Sequence, residues 1–171
     1  MAAPACTIRL ARPADISALF RLKRQMAIAE DAADTLRASE ADWERDMFGA
    51  HPRFVGLLAE TDGGPIGMAT LVERYYPAWA GPLFALDDVF VTPEHRGRGV
   101  GKALLAHAAA EALRRGAPFI ELTVRTQNPA RRLYEGLGFQ PVRDAMVYVI
   151  TGNALAALAQ ALQTVGTAIS A

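Results

Sequence analysis

With 171 residues, 51% of them hydrophobic, the chain has the size of one domain and enough apolar side chains for a core, so disorder is not the starting expectation. Eighteen basic residues balance eighteen acidic ones, which leaves no global attraction to nucleic acid or to a membrane surface. A single cysteine, Cys6, excludes an internal disulfide and points to a reducing compartment.

The first residues, MAAPACTIRL, lack a basic region followed by a long apolar one. No apolar run approaches the roughly 20 residues of a membrane span. The expectation is a soluble, cytoplasmic, single-domain protein over 1–171, with its core at about 7–151 and a C-terminal helix at about 153–168. Residues 7–10 alternate apolar and polar and predict a strand. Pro13 suits a first helical turn, and Ile16, Leu19, Phe20 and Leu22 follow at helical spacing, so a helix is expected to about Ala29. Ser39 as N-cap and Gly49 as stop bracket a second helix. Residues 54–60 and 66–76 flank the turn TDGGP and predict an antiparallel hairpin. Residues 75–82 are expected as an aromatic-rich loop, and 83–91 as a strand. A helix is predicted from about Gly99 to Arg115, a buried strand at 119–124, a short helix within 128–139 and a last strand at 146–150. This order fits a mixed α/β or α+β fold rather than a regularly alternating one.

Charge is unevenly distributed. Residues 30–46 hold seven acidic side chains against Arg37 and Arg45, and residues 95–132 hold eight basic ones against Glu111 and Glu121. These are either two solvated helix faces or an acidic side for a cation and a basic side for an anion. Residues 94–103, EHRGRGVGKA, lie where a strand passes into a helix. A helix N-terminus leaves about four N–H groups unpaired and carries partial positive charge. Glycines admit a ligand to that backbone, and Arg96, Arg98 and Lys102 add charge matched to phosphate oxygens, so the stretch predicts a pyrophosphate cradle. No Gly-Lys-Ser/Thr follows, and glycines at 97, 99 and 101 do not meet Gly-x-Gly-x-x-Gly.

Arg96, Gly99 and Gly101 form the pattern Arg-x-x-Gly-x-Gly, which resembles the acetyl-CoA motif of the GCN5-related N-acetyltransferase (GNAT) superfamily. A second block, TVRTQNPARRLYEGLGFQPV at 123–142, matches the superfamily as well. Further features resemble the diamine, or spermidine/spermine-type, branch: the acidic stretch after the first helix, FG-x-HP at 48–52, Trp79 with Gly81, and an acidic pair before the glycine loop. The resemblance covers about residues 7–140. It implies a mostly antiparallel, twisted central sheet of about six to seven strands, splayed between the fourth and fifth, with helices on both faces. It also implies acetyl-CoA as cosubstrate, a small primary amine as acceptor, no metal, no nucleic-acid or membrane partner, and a homodimer. Two departures point away from a polyamine: Leu86-Asp87-Asp88 stands where the branch has Leu-Glu-Asp, and the segment VRDAMVYV carries Asp144 and no tryptophan.

By this resemblance the cofactor residues are Val89, Val91, Arg96, Gly97, Arg98, Gly99, Val100, Gly101, Lys102, Asn128 and Arg131. Asn128 would contact the pantetheine arm and Tyr134 would lie near the thioester sulfur. Without the resemblance, Asn128 reads as a helix cap before Pro129 and Tyr134 as a core aromatic. The acceptor side would be Glu30, Asp31, Trp79 and Asp87. Asp87 and Asp88 should point to opposite faces of a strand unless a bulge intervenes. Only one of them should then face the site, and the resemblance selects Asp87 as the proton acceptor and leaves Asp88 a structural residue. An amide near Val89 would polarise the acetyl carbonyl, and Tyr134 would protonate the departing thiolate. The histidines His51, His95 and His107 have no metal-ligand spacing. Three other readings remain: a different acceptor such as an amino acid, an aminoglycoside or a protein N-terminus; a CoA-binding module without catalysis; or a nucleotide-binding fold.

Overall fold

A computed structural model describes residues 6–142, 145, 147 and 149–159. The chain divides into two units, Met1–Leu137 and Gly138–Ala171. The first contains every strand and helix that the argument below uses.

Five strands form one sheet in sequential order: β1 (Thr7–Leu10), β2 (Phe54–Thr61), β3 (Gly64–Tyr76), β4 (Gly81–Val91) and β5 (Ile120–Glu121). The first three pairings are antiparallel and β4–β5 is parallel. The sheet is therefore mixed and mostly antiparallel, with five strands among the described residues rather than six or seven. The expected strand at 119–124 shrinks to two residues. Of the expected strand at 146–150, Met146 and Tyr148 lie outside the described residues, and 147, 149 and 150 are not in a strand. Residues 152–159 are helical; the rest of the expected C-terminal helix lies outside the described residues. The expected loop at 75–82 is mostly strand, because Tyr75 pairs with Pro82 and Tyr76 with Gly81. Only residues 77–80 turn, with Ala80 in the left-handed region at φ 50°.

Helix α1 (Ile16–Ala29) starts one short 3-10 turn after Pro13. Helix α2 (Glu40–Phe48) opens on a reciprocal cap: the Ser39 hydroxyl accepts from the Asp42 N–H, and the Asp42 carboxylate accepts from the Ser39 N–H. Leu19, Phe20 and Leu22 of α1 and Trp43 and Met47 of α2 pack with Leu58, Met68 and Phe90 of the sheet. Trp43 stands edge-on to both Phe20 and Phe54. Fully buried side chains such as Leu19, Leu58 and Met68 contribute roughly 1.5–3 kcal/mol each.

Helix α3 (Val100–Arg114) covers the opposite face. Successive strand residues point to opposite sides. Met68 packs towards α1, while a Cβ on neighbouring Gly67 would meet Leu104 of α3 at 3.4 Å. Helix α4 (Arg131–Gly136) follows β5 and packs near the start of α3, where a Cβ on Gly101 would sit 3.4 Å from a Leu133 methyl.

Candidate active site

The regular β3–β4 register breaks at one point. Thr70 faces Asp88 and Leu71 faces Leu86, so Asp87 is an extra residue on β4. Such a bulge re-aims a side chain that regular pleating would send to the other face. Asp87 and Asp88 consequently both line one cavity of about 470 Å³, together with Glu30 at the end of α1. This corrects the expectation that only Asp87 would face the site.

The two carboxylates differ in their surroundings. Asp88 is buried. It accepts a bond from the Lys23 ammonium at 2.6 Å and from the Thr70 hydroxyl at 3.0 Å. Asp87 is exposed at the cavity rim and has no such ion pair. Partial desolvation, and then the neighbouring Asp88 charge, push its carboxyl above the ordinary value, while Arg74 and Lys23 oppose the shift. Tyr134 on α4 is half-buried, and burial, with the Glu30 carboxylate as the second cause, raises its phenol. Glu30 thus lines the cavity and lies within electrostatic reach of Tyr134.

The glycine loop takes the expected form. Gly97 and Gly99 adopt φ of 72° and 85°, the left-handed region, and Gly99 is the N-cap of α3. No side chain caps the helix there, so the N–H groups of its first turn keep their capacity for an anion. Val100 is buried and anchors that turn. Gly101 and Lys102 lie within it, and Arg98 lines a second cavity beside it, of about 160 Å³. On the β4 edge away from β3, pairing with β5 stops at Phe84 and Ala85. Val89 and Val91 therefore lie on a stretch whose outer edge pairs with no strand among the described residues.

A family-level comparison matches this arrangement. The profile of the acetyltransferase (GNAT) family fits residues 17–139, which span α1, the bulge, the glycine loop and α4. The chain belongs to the GNAT acetyltransferase family. Over 146 residues, 81% of this chain and 86% of the relative, it is 34% identical to thialysine N-epsilon-acetyltransferase of Bos taurus. It is 34% identical over 104 residues to human spermidine/spermine N(1)-acetyltransferase-like protein 1, covering 57% of this chain and 15% of that one. An aminoglycoside N-acetyltransferase solved in complex with CoA shares the fold at TM-score 0.70 and 22% identity, covering 86% of this chain and 96% of that chain. As a GNAT member with relatives named as N-acetyltransferases, the chain is an acyltransferase.

The structure brings together some of the GNAT residues expected from sequence and separates others. Glu30 and Asp87 share the cavity; Asp31, in the left-handed region at φ 53°, and Trp79 are not among its lining. Trp79 instead stacks edge-on with Tyr76 and Phe119 at the far end of the β3–β4 hairpin. The Arg96 guanidinium donates to the Val91 carbonyl and lies over the Phe90 ring, so it braces the loop. Arg131 donates to the Thr126 carbonyl and to Glu135. The Asn128 side-chain oxygen accepts from the Ala130 N–H, and its backbone carbonyl accepts from the Arg131 N–H, which orders the turn before α4. Lys23, Arg37 and Thr70 also line the cavity and were not anticipated. For Lys23 a signal existed: it lies four residues after Leu19 and three after Phe20, a charge set among buried positions of α1.

Proposed function

We propose that the chain transfers the acetyl group of acetyl-CoA directly to a primary amine of a small cationic acceptor. The observation that carries this reading is the β4 bulge, which directs Asp87 and Asp88 at one cavity beside a β4 edge that has no further strand pairing among the described residues. The pyrophosphate would rest on the first turn of α3, and the pantetheine arm would run along that edge, as added strands do.

At neutral pH on the order of one alkyl amine in a thousand is unprotonated, given a pKa near 10.4. Asp87 attracts the ammonium and accepts its proton, directly or through water, and its raised pKa makes it a better base for that task. The free amine attacks the thioester carbonyl, whose oxygen takes up negative charge near the Val89 amide. The C–S bond then breaks, Tyr134 gives its proton to the sulfur, and the nitrogen passes its second proton through water to the tyrosinate, which leaves a neutral amide and a restored phenol while Asp87 releases the first proton to solvent. A raised phenol pKa keeps that proton in place across the working range. Between ordinary groups, a thiol near 8.5 and a phenol near 10, the transfer is uphill by roughly 2 kcal/mol, the raised phenol adds to this, and reprotonation of the tyrosinate offsets it. The likeness to thialysine N-epsilon-acetyltransferase favours an amino acid with a side-chain amine as acceptor.

The test is thiol release from acetyl-CoA with thialysine, lysine, putrescine, spermidine and an aminoglycoside, comparing wild type with Tyr134→Phe. Turnover of at least one amine, lowered in the variant, supports the reading. Tight CoA binding without turnover of any amine would leave a CoA-binding module instead.

A further inference from the structure

Three carboxylates, Glu30, Asp87 and Asp88, and two cations, Lys23 and Arg37, line the cavity. Lys23 does not point to solvent like most lysines of a surface helix. It is set among the apolar residues of α1, its side chain is 25% exposed, and its ammonium rests on Asp88 at 2.6 Å. Asp88 is also held by the Thr70 hydroxyl, so its position is fixed from two sides. An ammonium of the protein's own therefore occupies the inner carboxylate of a site suited to ammonium groups.

We propose that Lys23 is a specificity-determining residue: by neutralising Asp88 it tunes the cavity to an acceptor of low net positive charge and discriminates against polyamines. The inference rests on the acceptor reading above. With Lys23 in place the lining carries three negative and two positive charges, one net negative charge. A lysine-type amino acid, with two ammonium groups and one carboxylate, matches that balance, and its carboxylate suits Arg37. Spermidine, with three ammonium groups and no carboxylate, finds Asp87 and Glu30 but meets Lys23 where a further anion would be needed. Like-charge apposition of this kind is how a site rejects a competitor without losing its preferred ligand. Where solvent is partly excluded, a single charge alters affinity by a factor of ten or more.

The experiment compares wild type, Lys23→Gln, Lys23→Arg and Asp88→Asn. Glutamine keeps an N–H donor for Asp88 but no charge, so the buried carboxylate retains a partner. The readout is the ratio of kcat/KM for spermidine to that for thialysine, with amine binding to the CoA-loaded protein measured by calorimetry in parallel. Lys23→Gln should raise the ratio about tenfold or more, Lys23→Arg should leave it near wild type, and Asp88→Asn should lower it, because Lys23 then stands without a counter-ion. Opposite shifts from the two neutralising variants are not expected of a purely structural ion pair. Turnover with an unchanged ratio in both overturns the role of Lys23 and leaves the acetyltransfer reading intact. Absence of turnover, with spermidine binding gained in Lys23→Gln, supports the role of Lys23 and overturns the acceptor chemistry. Absence of amine binding and of turnover in all four proteins overturns both. Should Lys23→Gln fail to fold, the direction of the Asp88→Asn shift decides.

Discussion

Asp87 and Asp88 are adjacent on β4 and line one cavity, Asp88 bound to Lys23 and Asp87 at the rim. The extra residue in the β3–β4 register produces this relationship, and the two carboxylates sit in different surroundings. Asp87→Asn should lower kcat/KM at neutral pH by about a hundredfold or more, the range in which positioned general bases act. Activity should recover as pH rises and more of the acceptor becomes free amine. A pH profile of both proteins checks this, since the wild type should show an acid limb above the ordinary carboxylate value that the variant lacks.

The same residue should trade stability for activity. A carboxylate whose folded pKa is raised contributes stability below its unfolded value, and that stability is lost as pH rises through the folded one. At neutral pH the ionised Asp87 is thus held against a local cost, and Asp87→Asn should melt at a higher temperature than wild type while losing activity. At a pH below the unfolded carboxylate value the difference should disappear. A melting temperature that does not rise in the neutral range would remove the electrostatic argument for Asp87 as a tuned base.

Tyr134→Phe removes one oxygen from a half-buried ring on a short helix. If the phenol supplies the proton to the thiolate, kcat should fall about a hundredfold with little change in KM for either substrate, the pattern of an interaction made only in the transition state. Because burial and Glu30 raise the phenol, wild-type kcat should persist into the alkaline range before the tyrosine ionises. Equal losses in kcat and CoA affinity would instead mark a packing role.

Much of the fold was legible because its signals are local. Ser39, the TDGGP turn, and the glycine loop before α3 each announce a cap, a hairpin or a helix start. The bulge was not legible. It depends on the register of Thr70 and Leu71 against β4, eighteen residues away for the Thr70–Asp88 pair, and nothing in Leu86-Asp87-Asp88 distinguishes a regular strand from a bulged one. Trp79 was drawn to the acceptor side by resemblance alone. The apolar faces of Tyr76 and Phe119 hold it elsewhere. Arg37 offered no pattern at all, since an exposed arginine in a loop gains meaning only from the cavity beside it.

The glycines of the loop should differ in what they tolerate. Gly99 sits at φ 85° with nothing within 4 Å of an added Cβ, so Gly99→Ala meets backbone strain and no clash. It should cost about 1–2 kcal/mol of stability and weaken CoA binding as the α3 N-terminus shifts. Gly101 lies in regular helix, where alanine is favoured by up to about 1 kcal/mol, and its Cβ would touch only a Leu133 methyl at 3.4 Å. Gly101→Ala should therefore be neutral or slightly stabilising. Denaturant melts of both variants check the contrast, and equal losses would show that crowding rather than φ governs this turn.

Glu111 is a buried carboxylate on α3, and it should dominate the acid sensitivity of that helix. Arg114 and Arg115 both donate to it, and Arg115 also lies over the Phe84 ring, tying the end of α3 to the sheet. The Arg114 bond is the largest cause that holds its pKa down; burial opposes it, and Arg115 adds to the lowering. A depressed carboxylate contributes stability above its unfolded value, near 4.3, and that stability is lost as pH falls through the folded value. Glu111→Gln keeps the shape and removes the charge. It should cost about 1–3 kcal/mol at pH 7, the range for hydrogen bonds to a charged partner, and lower Tm by roughly 2–4 °C per kcal/mol in a chain of this size. The variant and wild type should converge only as pH falls below the depressed folded value of Glu111. If the gap between them stays constant from pH 7 to pH 3, the contribution of Glu111 is packing rather than charge.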